Sequence, residues 1–278
     1  MAKALQLPKQ YHPDFTSRVR HPVGPVEIDW DNPLTNSLRF LMSQGRQVDL
    51  VSGIAADVTA PLASGLAGKS AQTALTTAEQ IEFPAHSNHR MDGDFTLFAT
   101  FDPSTIEGEY PGVISCRSSY VDGVYSLYFD TYASNVPQVL ARDGSINIVT
   151  FSGLSGYDSI NGVATLVVSC NSSASVGVLY HENVLEVDTQ GAAQTNTANT
   201  HKLNIGGLQA GLASEHTFAD YYQAGVIGRS LSEAECISLA KDPMQLLKPA
   251  SPIYYFVPDA APSGIAPIAG HHLNQMRG

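Results

Sequence analysis

The stretch Asp94-Phe95-Thr96-Leu97-Phe98-Ala99-Thr100-Phe101 sets Phe95, Leu97, Ala99 and Phe101 on one face at period two, the pattern of a half-buried β-strand. Shorter runs of the same kind follow at Gly112 to Cys116, Val124 to Phe129, Gln138 to Arg142 and Ser145 to Val149. The last two flank Asp143-Gly144, a dipeptide suited to a tight hairpin turn. Further β runs lie at Ala164 to Cys170, Val176 to Tyr180, Val184 to Val187, Leu203 to Ile205 and Phe218 to Ile227, after an onset near Ile81 and Phe83. About ten short strands with regular turns and no βαβ alternation predict an all-β sandwich or jelly roll.

One helix interrupts the strands. Within Leu231-Ser232-Glu233-Ala234-Glu235-Cys236, Ser232 can cap the helix, Glu235 can reach back to it, and Leu231 can staple onto Cys236. Ile237 and Ala240 continue the apolar face, and Asp242-Pro243 ends it.

The chain divides into three parts. Residues 1–26, broken by Pro8, Pro13, Pro22 and Pro25, read as an extended arm; 27–257 form the sandwich domain, with its core at about 75–240; and 258–278, rich in Ala, Pro and Gly, form an extended tail. The arm carries Lys3, Lys9, Arg18 and Arg20 against Asp14 alone, whereas the whole chain has a formal net charge of -11. These four cations are the expected partner contacts, and the net negative charge argues against binding nucleic acid through a general basic surface, since phosphate neutralisation needs clustered Lys and Arg. Cys116, Cys170 and Cys236 are odd in number and without a Cys-x-x-Cys pair, so buried thiols are expected rather than a disulfide framework or a zinc site. Neither a secretory signal nor an apolar run of roughly 20 residues is found, so no export by its own signal and no membrane contact are expected.

Phe218-Ala219-Asp220-Tyr221-Tyr222-Gln223-Ala224-Gly225-Val226-Ile227-Gly228-Arg229-Ser230-Leu231-Ser232-Glu233-Ala234-Glu235 resembles the closing strand and helix of concanavalin A-like, laminin-G-like jelly-roll domains. The strand from Asp94, its partner at Gly112 to Ser115, the hairpin from Val178 to Glu186 and Leu203-Asn204-Ile205-Gly206-Gly207 follow in that family's order. Two details depart from it: Glu182-Asn183 replaces the usual Asn-Gly or Asp-Gly turn, which Asn183 tolerates in the left-handed region, and Gly162-Val163-Ala164 stands where an aromatic is common. The flanks at Val26 to Leu34, Val48 to Gly53 and Lys241 to Pro249 look like the ends of laminin-G-like proteins of tailed bacteriophages and prophages. That resemblance implies a virion structural protein, made in the bacterial host cytoplasm, whose partners are other virion proteins and copies of itself.

Candidate chemistry is sparse. Glu27-Ile28-Asp29-Trp30-Asp31 is similar to the alternating carboxylates of concanavalin A-like glycoside hydrolases, but it precedes the jelly-roll strands and runs into Asn32-Pro33, so turn and capping roles are expected. Gly65 to Ser70 lacks the first glycine of a phosphate-binding loop and reads as a flexible loop. His86-Ser87-Asn88-His89 and His271-His272 lack helical ligand spacing and read as solvated loops. No cofactor is expected; the one ion the pattern admits is calcium, at Asp92-Gly93-Asp94 or Asp122-Gly123, where turn chemistry serves equally well. Asn171-Ser172-Ser173 fits a glycosylation acceptor only in a secreted protein. Of the clustered Tyr120, Tyr125, Tyr128 and Tyr132, some must enter the core; Tyr120 and Tyr132 are the candidates for stacking on sugar rings.

Two functions follow as expectations. The first is a non-enzymatic phage structural protein, a capsid decoration or other particle-surface protein held by its terminal arms. The alternative is a carbohydrate-binding adhesin or a tail- or fibre-associated receptor-binding protein, whose partner is a host-surface glycan. A glycoside hydrolase using Glu27 or Asp29 is a remote third.

Overall fold

The computed structural model describes residues 4–5, 26–65, 68–73, 80–89, 93–105, 111–116, 125–130, 136–143, 146–152, 162–181, 183–190, 201–208, 217–250 and 255–256. Its strands are β1 (Ala4–Leu5), β2 (Val26–Ile28), β3 (Leu38–Ser43), β4 (Leu62–Gly65), β5 (Gly68–Gln72), β6 (Ile81–Phe83), β7 (Phe95–Thr105), β8 (Gly112–Cys116) and β9 (Tyr125–Asp130). They continue as β10 (Val136–Asp143), β11 (Ile146–Ser152), β12 (Ala164–Cys170), β13 (Ser175–His181), β14 (Val184–Gln190), β15 (Leu203–Ile205) and β16 (Phe218–Ile227). Helix α1 (Glu233–Lys241), β17 (Leu247–Pro249) and β18 (Tyr255–Phe256) complete the order. The fold is an all-β sandwich with one short helix, as the alternation in the sequence predicts.

One sheet has six strands in the order β11-β10-β9-β8-β15-β6; the other has eight, β14-β13-β12-β7-β16-β5-β4 with β3 also on β16. The space between them is filled by the period-two residues Phe95, Leu97, Ala99 and Phe101, together with Phe40, Phe83, Tyr125, Leu127, Val139 and Tyr221. Aromatic pairs bind the sheets at Phe40–Phe83 (4.9 Å between centroids, 76°) and Phe95–Tyr125 (5.8 Å, 38°). Each such side chain contributes about 1.5–3 kcal/mol through burial.

The opposite face of the eight-stranded sheet is also covered. Phe98, Val167, Val178 and Ile227 pack there against Cys236, Leu239 and Ala240 of α1, and against Val26, Ile28, Leu34 and Leu246 from the flanks. Three layers result. Gly225 is needed because Phe98 lies over it: a Cβ at 225 would stand 2.1 Å from Phe98 Cζ. Helix α1 is closed by the expected capping box, with Ser232 Oγ accepting from Glu235 N and Glu235 Oε2 accepting from Ser232 N at 2.8 Å.

Some local expectations change. Leu38–Ser43 is a strand that the sequence reading misses, because Phe40, Leu41 and Met42 are all buried and no alternation survives. The loop expected at Gly65 to Ser70 belongs to a hairpin, with Gly65 opposite Gly68 and Ser64 opposite Lys69. Asp143 pairs with Ile146, so the β10–β11 connection is 144–145, one residue later than expected. Asn183 has φ 66, as the β13–β14 turn requires. Cys116, Cys170 and Cys236 are buried and form no disulfide.

Candidate functional site

β2 buries Val26 and Ile28 and turns Glu27 outward, and Asp29 N continues its pairing by donating to Leu246 O at 2.8 Å. The chain then reverses. Asn32 N donates to Asp29 O at 3.0 Å, leaving Trp30 and Asp31 at the two central positions of a turn. Asp31 N donates to Asp29 Oδ1 (3.3 Å), and Thr35 Oγ1 donates to the carbonyls of Asp29 (3.0 Å) and Asn32 (2.7 Å). Asn32 caps the following helical turn through Leu34 N (2.9 Å) and reaches Gln245 O (2.8 Å) with its amide nitrogen. Arg229 locks the far side, donating to Pro33 O at 3.2 Å while pairing with Glu235 at 2.8 Å. The turn and capping roles expected of this run are therefore observed, and they hold Trp30, the chain's one tryptophan, 58% exposed on a rigid support.

Charge gathers on the strands beside that turn. Lys248, opposite Glu27 on β17, places Nζ 4.0 Å from Glu27 Oε1, 3.5 Å from Asp29 Oδ1 and 3.6 Å from Asp31 Oδ2. Desolvation works against the ammonium, but the three carboxylates outweigh it and raise the Lys248 pKa. Three carboxylates against one ammonium leave the site net negative, with acceptors for hydroxyl or ammonium donors and one donor of its own.

The outer face of the six-stranded sheet is a weaker candidate. Its row Glu82, Asn204 and Ser115 is polar yet buried, and Ser115 Oγ donates to the carbonyls of Gly207, at 3.0 Å, and of Leu208. Lys202 closes one end at 2.5 Å from Glu82 Oε1. Tyr128 on the same face is 7% exposed and donates to Gln138 Oε1 at 2.7 Å, so it offers no open ring. Trp30 is the one aromatic among the large exposed apolar side chains of the described residues, the others being Leu62, Val184 and Val187.

The histidine reading is corrected at His89, which is buried at 1% exposure rather than solvated. Its ring meets Phe40 and Phe83 edge-on, and Nε2 lies 3.9 Å from Asp49 Oδ2. Burial pushes its pKa down to about 4, with Asp49 opposing and His86 adding to the shift. Asp49 spends its oxygens on Leu41 N (3.1 Å), Val51 N (3.0 Å), Ser52 N (3.2 Å) and Ser52 Oγ, anchoring a turn onto β3. No group of three metal-ligating side chains occurs among the described residues. Of the calcium candidates, Asp94 accepts from Ser230 Oγ at 3.4 Å, while Asp92 and Asp122 lie outside the described residues. Asn171 Oδ1 accepts from Ser173 N at 2.8 Å and Ala174 N at 2.6 Å, a turn in the chain.

Lys3, Lys9, Arg18, Arg20, Tyr120 and Tyr132 lie outside the described residues, as do His271 and His272. Of the arm, Ala4 and Leu5 pair with Phe256 and Tyr255. Tyr125, Tyr221 and Tyr222 are fully buried, as a core role for part of the tyrosine set requires. The carboxylates that flank Trp30 in the sequence are legible as a motif, while the ring itself is signalled only by a lone tryptophan directly before Asp31-Asn32-Pro33.

No protein-family model matches the sequence, and no curated relative matches it. Solved structures do. The chain is similar to the binding domain of Paraclostridial Mosquitocidal Protein 1 (TM-score 0.54, 14% identity, 73% of this chain and 51% of that one). It is also similar to domain 4 of AbnA, an extracellular arabinanase from Geobacillus stearothermophilus, in complex with arabinotriose (TM-score 0.50, 12% identity, 73% of this chain and 98% of that one). A third is Trypanosoma rangeli sialidase in complex with sialic acid (TM-score 0.50, 14% identity, 75% and 33%). The chain spans about half of the toxin chain it matches and a third of the sialidase. At these identities the likeness establishes a shared β-sandwich fold.

Proposed function

We propose that this chain is a non-catalytic glycan-recognition module that holds a sugar ring against Trp30. The observation that carries the reading is that exposed indole on a turn fixed from both sides. An indole covered by a pyranose removes a large apolar face from water, and the neighbouring carboxylates and Lys248 can meet the hydroxyls. The fold supports the reading, being shared with domain 4 of AbnA, solved in complex with arabinotriose. A net-negative rim selects neutral or amino sugars and repels sialic and uronic acids, since like charges about 4 Å apart cost roughly 1 kcal/mol even in water.

Hydrolysis is disfavoured by the same geometry, because Lys248 bridges Glu27, Asp29 and Asp31 and engages the carboxylates that acid and nucleophile roles would use. The laminin-G-like class and the virion setting, capsid decoration included, rest on the resemblance of residues 26–34, 48–53, 218–235 and 241–249. The two readings combine in a particle-borne protein that recognises host-surface glycan. A glycan array probed with the full chain and with Trp30→Ala tests the function: binding to neutral or amino glycans that the variant loses supports it, and a blank array for the unmodified chain refutes it.

A further inference from the structure

Strand β14 ends the eight-stranded sheet among the described residues, and of the devices that usually blunt an edge it carries only two acidic side chains. Val184-Leu185-Glu186-Val187-Asp188-Thr189-Gln190 has no proline and no lysine, and its register with β13 runs without a bulge from Ser175↔Gln190 to His181↔Val184. Val184 is 58% exposed and Val187 37%. Glu186 and Asp188, two apart, share the opposite side from Val187. Asp188 is already engaged locally, accepting from Thr189 N at 2.8 Å and Gln190 Nε2 at 3.3 Å, but Glu186 Oε2 is buried without a hydrogen-bond partner. A buried carboxylate oxygen with no donor, on the outermost described strand, calls for a cation delivered along that edge.

The same chain holds the complementary sequence. Thr16-Ser17-Arg18-Val19-Arg20, between Pro13 and Pro22, repeats the pattern of the edge with the charges reversed: Arg18 and Arg20 flank Val19 as Glu186 and Asp188 flank Val187. With Val19 opposite Val187, either strand direction sets both arginines opposite the two carboxylates, at the roughly 5 Å separation of cross-strand neighbours. We propose that the Thr16–Arg20 segment of a second copy adds to the β14 edge, Val19 covering Val187 while Arg18 and Arg20 neutralise Glu186 and Asp188. Backbone hydrogen bonds supply affinity and the alternating charges fix the register.

Sedimentation velocity of the full chain, at low and high salt, tests the pairing. Self-association is expected, weakening at least several-fold as salt rises. Glu186→Lys with Asp188→Lys abolishes it, and so does Arg18→Glu with Arg20→Glu. Mixing these two variants restores it, because each arm then meets an edge of opposite sign on the other chain. Unchanged association in either variant, a mixture that stays monomeric, or an unmodified chain that is monomeric at all concentrations overturns the proposal. Unchanged far-ultraviolet circular dichroism of both variants establishes that the lost association is not lost folding.

Discussion

Between about pH 6.5 and 4.5, acid should weaken this fold mainly through His89. His89 is buried, with both ring nitrogens lacking a hydrogen bond, and stays neutral down to about pH 4 instead of the ordinary 6.5. The unfolded chain takes up a proton near pH 6.5, so between these limits the unfolded state holds more protons than the folded one. Stability is therefore complete above pH 6.5 and falls as the pH drops to about 4. The interval is worth about 3 kcal/mol at 1.36 kcal/mol per pH unit. Asp49, 3.9 Å away, and the His86 ring are the titratable groups that face it, and both already enter the shift. Glu235, whose pKa is held down to about 2, first by its hydrogen bond from Arg229, loses its contribution in the lower window from 4.5 to about 2 and leaves this one clear. Urea unfolding at several pH values compares the unmodified chain with His89→Phe, which keeps a ring between Phe40 and Phe83 but cannot titrate. The variant should lose most of the pH dependence between about 4.5 and 6.5. Parallel curves for the two proteins would refute the assignment.

Three further outcomes follow from packing and charge. Gly225→Ala forces a methyl into the Phe98 ring, which is fully buried and has nowhere to move, so urea unfolding should show a loss of roughly 1–3 kcal/mol. Asp102→Asn should raise the melting temperature at neutral pH and lose that advantage as the pH falls. Burial and the Asp220 carboxylate directly across the ladder raise the Asp102 pKa, so its charged form is disfavoured in the fold. Ser232→Ala removes the cap of α1 and should cost about 1 kcal/mol by the same unfolding assay, with little change in overall secondary structure.

The strands that the sequence reveals are those with one face in the intersheet core and enough polar residues on the other to mark the period. Phe95 to Phe101 is legible because Thr96 and Thr100 interrupt the apolar set, even though both are buried against the outer layer. β3 is not, because Phe40 and Met42 enter one core while Leu41 enters the other. The helix cap is legible because Ser232 and Glu235 satisfy one another within four residues. His89 is not, since its burial depends on Phe40, Phe83 and Asp49, which the fold brings together from other elements. The same limit applies to Trp30: its neighbours Glu27, Asp29 and Asp31 are local and visible, but Lys248 and Gln245, which complete the site, come from more than 200 residues later.

Trp30 is the one tryptophan of the chain, so its emission reports on the proposed site without a label. Titrating the full chain with a neutral or amino oligosaccharide identified on the array should shift that emission to the blue and saturate, as the sugar displaces water from the exposed indole. A glycan that binds while leaving the tryptophan emission unchanged would contradict the account, because it would have to bind elsewhere.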